Sequence, residues 1–184
     1  MMNKMNMLNI MNMIEYINHY YRFRPQSAEE QQNAKTPDDA EFKMISKMYS
    51  ENHRTMSHGN DSCGLFKNGI TNGAEWYEIS GGMQDFNYLY SNCMEITLEL
   101  SCVKKPLAKV LETEWENNKE AMLKFLEMGQ GVLHGVVSDS NGEAVKDARI
   151  QVGNKNRDVF TTENGEYWRV LSPGSHSIRA MKGI

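Results

Sequence analysis

Apolar residues recur at three- and four-residue steps between Phe42 and Met56 (Phe42, Ile45, Met48, Tyr49, Met56), which predicts a helix with one buried face. Its start is marked by Thr36-Pro37-Asp38-Asp39: a capping hydroxyl, a proline suited to the first helical position, and two acids at the positive helix end. The spacing carries this helix to about His53–Ser57. Asn68-Gly69, Asn72-Gly73 and Gly81-Gly82 then mark a loop-rich stretch over 59–82. Met94–Leu100 (MEITLEL) reads as a strand apolar enough to lie inside a sheet. Thr113 and Glu116 have the spacing of a capping box, predicting a helix over 113–128 with Trp115, Met122, Phe125 and Leu126 on its inner face.

After Gly129–Gly131 the period shortens. Segments 132–137, 148–152, 159–162, 167–171 and 175–180 read as short strands, punctuated by Asn141-Gly142, Asn164-Gly165 and Pro173-Gly174. Strands at this spacing suggest a β-sandwich, and residues 131–184 are few for a free-standing one. The chain therefore reads as 1–35, 36–130 and 131–184. The first 13 residues hold six Met and four Asn, and Arg22–Lys35 is polar and aperiodic, so 1–35 is expected to be low-complexity and loop. It does not read as a secretory signal.

Composition narrows the field modestly. The 184 residues are 40% hydrophobic and 24% charged, as in an ordinary globular protein. A formal charge of −4 gives no electrostatic reason to expect nucleic acid as a partner, and no apolar run is long enough to span a membrane. Three cysteines (Cys63, Cys93, Cys102) allow at most one internal bridge.

The stretch from Asn68 to Cys102 (NGITNGAEWYEISGGMQDFNYLYSNCMEITLELSC) and the TPDDAEF at 36–42 resemble the carboxypeptidase N/E group of zinc metallocarboxypeptidases. GVLHGVVSDSNGEAVKDARIQV and GEYWRVLSPGSHSI resemble the transthyretin-like module that follows the catalytic domain in that group, and the likeness covers roughly residues 36–181. The resemblance implies an α/β fold, the C-terminal half of a mixed-sheet catalytic domain (36–130), followed by an incomplete all-β transthyretin-like sandwich (131–184). It implies removal of C-terminal residues, of Lys/Arg type, from peptides and proteins. Spacing alone does not choose between Glu95 and Glu99 as a catalytic carboxylate; the resemblance assigns Glu99, which would take a proton from zinc-bound water and hand it to the leaving amine. It also assigns Tyr77 to the loop that closes over the substrate carboxylate, and Gln84 to the pocket for the last side chain. Cys63 and Cys102 match a bridged pair, closing a loop of about 40 residues worth ~3–4 kcal/mol, which leaves Cys93 free and buried. An oxidising, secretory-pathway or extracellular setting for the parent follows.

The same resemblance exposes a gap. The group holds zinc through a His-x-x-Glu pair and a third histidine before Gly-Gly, and none of His19, His53, His58, His134 or His176 stands in such a context. Arg22 and Arg24 lie in no matching motif either. Zinc is therefore expected in the full-length family and not on this chain, and the chain is expected to be a truncated, inactive member with exposed sheet edges and apolar faces. The competing reading is a non-catalytic remnant that binds peptides or proteins through Tyr77, Gln84 or the β-module.

Overall fold

The computed structural model describes residues 13–16, 35–58, 66–76 and 81–183. By compactness the chain divides into two units, residues 1–34 with 42–127, and residues 35–41 with 128–184.

In the first unit, strand β1 (Met13–Tyr16) pairs in parallel with β2 (Ile70–Asn72) and antiparallel with β3 (Ile96–Glu99), giving a mixed sheet of order β2-β1-β3. The segment read as low-complexity loop thus contributes the central strand, a correction to the sequence reading. Its register sets Ile14 against Ile70 on one side and Leu98 on the other. The expected strand over 94–100 is four residues long and lies at the edge of the described sheet, where the sequence reading placed it inside.

Helix α1 (Asp39–Asn52) forms where the spacing predicts it, with Asp39 and Glu41 in its first turn. Phe42, Ile45 and Tyr49 are buried, and Met48 is only half-buried. Tyr49, Met56 and Ala121 form one apolar cluster, against which Ile70, Ile96, Leu98, Leu100 and Phe125 pack. A second joins Phe42 and Tyr88 edge-on, ring centroids 5.2 Å apart, with Met94 and Ile96 alongside. Two helices lie where the sequence reading has loop or no element: the short α2 (Gly73–Trp76) and α3 (Met83–Ser91). At Gly69 the backbone has φ +65° and a Cβ would stand 2.3 Å from the Met56 carbonyl oxygen, so only glycine fits.

Helix α4 spans Leu111–Met128 and continues from a 3-10 turn at Ala108–Val110, so Thr113 lies inside the helix and caps nothing. Its inward stripe also differs from the expected one. Asn118 and Ala121 are buried, whereas Trp115 and Leu126 are 57% and 70% exposed and Met122 is exposed. The cause is a polar contact: the Tyr49 hydroxyl donates to Asn118 Oδ1 at 2.9 Å, and Asn118 Nδ2 donates to the Glu114 carbonyl at 2.8 Å. A buried phenol needs a partner, and satisfying it rotates the helix away from its most apolar stripe.

The second unit is β-rich. Strands β4 (Leu133–Val136) and β7 (Glu166–Arg169) form an antiparallel pair, while β6 (Val159–Phe160), β5 (Arg149–Val152) and β8 (Ile178–Met181) form a three-stranded antiparallel sheet in the order β6-β5-β8. All five expected strands are present, each shorter than the sequence reading drew it, with β7 and β8 also displaced along the chain. Ala148, Ile150, Val152 and Val159 make the core. Thr161 ties the sheet together by accepting from the Ala148 N–H at 2.8 Å and donating to the Val145 carbonyl at 2.6 Å. The Asn141-Gly142 turn is held by Asp139, whose Oδ1 accepts from the N–H groups of Asn141 and Glu143 at 2.8 and 2.9 Å. Residues 35–41 belong to this unit through Asp38 and Glu41, both fully buried.

Candidate functional site

The residues singled out from sequence cluster around α3, the turn after it and β3. Helix α3 follows Gly82 and ends at Asn92, which takes the left-handed conformation (φ 60°) needed to reverse the chain toward β3. This places Gln84 on the first turn of α3, buried. Asn87, one turn further on, donates through Nδ2 to Glu95 Oε1 and pins that carboxylate against the helix. Gln84, Cys93, Glu95, Thr97 and Phe125 contribute to the lining of one cavity of about 500 Å³.

Glu99 ends β3 and is half-buried, paired in register with Met13. Ile96 and Leu98 pack into the core clusters, so Thr97 and Glu99 take the opposite face of the strand. Among the described residues Glu99 makes no hydrogen bond or ion pair. Gln84 and Glu95 thus share a cavity, and Glu99 is not among its lining residues. Asn87 is the contributor that sequence reasoning missed; its bond to Glu95 joins a helix to the following turn and leaves no periodic or motif signal.

Cys102 is disulfide-bonded. Cys93 is free, and it is exposed where burial was expected, because the turn that brings Glu95 to Asn87 carries it outward. Partial burial of its sulfur, and then the Glu95 charge, push the thiol pKa up, which makes Cys93 a poor nucleophile. Tyr77, Cys63, His19, Arg22 and Arg24 lie outside the described residues.

The described histidines do not suit a metal. His53 is buried, and its Nδ1 accepts from the N–H groups of Thr55 and Met56 at 3.2 and 3.1 Å. His58 is exposed beside Ser57, His134 is exposed on β4, and His176 Nε2 lies 2.7 Å from the Ser172 carbonyl oxygen. Among the described residues no three His, Cys, Asp or Glu side chains are grouped as a metal ion would require, so these residues do not fit a zinc site. No helix among them is long and apolar enough to cross a membrane.

Comparison with known proteins completes this description. Residues 4–121 match the zinc carboxypeptidase family, and residues 132–183 match the carboxypeptidase regulatory-like domain. The first match begins well before residue 36, in keeping with the strand at Met13–Tyr16. Carboxypeptidase D of Drosophila melanogaster is 48% identical over 146 residues, 79% of this chain and 10% of that protein. Carboxypeptidase Z of Rattus norvegicus is 44% identical over 168 residues, 89% of this chain and 26% of that protein. The carboxypeptidase N catalytic chain of the same species is 46% identical over 160 residues, 87% of this chain and 35% of its own length. The chain therefore spans about a tenth to a third of these relatives.

Proposed function

We propose, because the chain belongs to the zinc carboxypeptidase family, that it carries the proton-transfer and pocket elements of an enzyme that removes C-terminal Lys or Arg from peptides and proteins. In this reading Glu99 takes the proton of the attacking water and passes it to the leaving amine. Gln84 contributes a polar amide to the pocket for the terminal side chain, and Tyr77 closes over the terminal carboxylate. The observation that carries the reading is the place of Glu99, at the end of β3 and off the strand face that packs into the core, within the stretch that matches the family. A disulfide at Cys102, paired in this proposal with Cys63, suits a secreted or secretory-pathway parent. The β-rich unit is read as part of a transthyretin-like sandwich.

No histidine of the sequence stands in a His-x-x-Glu or His-Gly-Gly context, and on that ground the chain by itself is proposed to be inactive. Complementation tests both halves of the proposal. The purified chain is mixed with the part of a relative that supplies His-x-x-Glu and the third histidine, and release of arginine from a peptide bearing it at the C-terminus is followed. Release is expected only from the mixture, and Glu99→Gln is expected to abolish it while Glu95→Gln retains it. Release that survives Glu99→Gln and is lost in Glu95→Gln would reassign the base to the glutamate lining the cavity.

A further inference from the structure

The second unit holds a polar depression that the proposed chemistry does not use. It measures about 580 Å³, and Gln151, Asn154, Lys155, Asn156, Ser177 and Arg179 contribute to its lining. Small-molecule sites of this size usually have apolar walls. Here the walls are amide, hydroxyl and cationic, so a fitting ligand forms hydrogen bonds over most of its surface. Backbone bonds fix the frame: the Lys155 N–H donates to the Val152 carbonyl at 3.0 Å, and the Gly153 N–H donates to the Ser177 carbonyl at 2.8 Å. In the β5–β8 register Gln151 stands opposite Arg179, so both side chains leave the sheet on one face, away from the buried Ile150 and Val152. That face also carries an aromatic ring. Phe160 pairs with Arg149, two residues before Gln151 on β5, and is 61% exposed.

The charges narrow the ligand. Lys155 is committed to Glu41 at 2.7 Å and is not the anchor. Arg179 is exposed, and among the described residues it makes no hydrogen bond or ion pair. Among those residues no Asp or Glu lines the depression. A single guanidinium fork suits a single carboxylate, which it holds through two parallel bonds. The amides of Gln151, Asn154 and Asn156 each offer a donor beside an acceptor, and Ser177 adds a hydroxyl; this is the complement of neighbouring hydroxyls on a ring. A simple anion would use Arg179 and leave the amides and Phe160 idle. The C–H face of a sugar ring, by contrast, packs on an aromatic ring while its hydroxyls reach polar neighbours. From this arrangement we propose that the outer face of the β6-β5-β8 sheet binds a carboxylate-bearing saccharide. Its acid sits on Arg179, its hydroxyls on Gln151, Asn154 and Asn156, and one ring lies against Phe160.

The test is a nuclear magnetic resonance titration of the full chain with sialyllactose, which joins one carboxylate to linked sugar rings. Lactose supplies the hydroxyls without the acid, and acetate the acid without the rings. Sialyllactose is expected to shift the amides of residues 151–156 and 177–179 saturably, with a Kd at least about tenfold below those of lactose and acetate. Arg179→Gln is expected to raise that Kd at least about tenfold and Phe160→Ala at least about threefold, both with an unchanged melting temperature because the side chains are exposed. Lys182→Gln removes an exposed cation that does not line the depression and is expected to leave the Kd unchanged. Three results would each overturn the proposal: no saturable shift, equal affinity for acetate, or a Kd that responds to Lys182→Gln as strongly as to Arg179→Gln.

Discussion

At His53 one ring nitrogen does the work of a helix cap. Its Nδ1 accepts from the N–H groups of Thr55 and Met56 at the start of the 3-10 turn Met56–His58, and burial holds the ring's pKa below its ordinary value of 6.5. Replacing it with leucine removes the acceptor of the buried Met56 N–H, and a loss of about 1–3 kcal/mol in urea unfolding is expected. The pH dependence follows from the sign of the shift. The unfolded imidazole binds its proton first as pH falls, so the stabilisation is full above about pH 6.5 and is lost as pH drops through that value toward the lower folded pKa. Between about pH 7 and pH 5 the wild type should therefore lose more stability than His53→Leu. The sequence showed His53 only as a histidine outside any metal motif; its capping role rests on a three-residue loop geometry that no spacing rule encodes. Gln84 and Glu99 were singled out because their segments resemble a long family stretch, and their roles rest on that resemblance, whereas Asn87 left no such signal, because its partner is set by the turn at Asn92.

Among the elements, α4 shows where periodicity misleads. Trp115, Met122 and Leu126 form the stronger apolar stripe, yet Asn118 and Ala121 face inward because Tyr49 needs a hydrogen-bond partner and Met56 needs room. Leu126→Lys and Trp115→Lys are accordingly expected to change urea stability by no more than about 0.5 kcal/mol. Ala121→Leu overfills the contact with Tyr49 and Met56 and should cost about 1–3 kcal/mol. The opposite ranking would restore the inner face that spacing alone suggests. The β-unit was the easier reading: its turns carry Asn-Gly and Pro-Gly pairs at regular intervals, and each sits where the strands need it. Strand β1 was hidden because it is only four residues long (MIEY), too short for an alternating pattern to stand out after the Met- and Asn-rich stretch before it.

Across the whole molecule, exposed apolar side chains gather on α3 and α4, among them Met83, Phe86, Tyr90, Leu111, Trp115 and Leu126. Surfaces of that kind bind apolar dyes and promote association. The native chain should enhance 1-anilinonaphthalene-8-sulfonate fluorescence at pH 7, and Trp115→Lys with Leu126→Lys should reduce it; no enhancement would mean that these side chains are covered in solution. The larger proposal is a division of labour, in which Glu99 serves as proton acceptor, Gln84 forms part of a side-chain pocket, and the metal donors come from outside these residues. Calorimetric titration of the purified chain with zinc at neutral pH addresses that claim most directly. The account predicts no tight one-to-one uptake and an unchanged melting temperature; a stoichiometric, tightly held zinc ion that raises the melting temperature would contradict it.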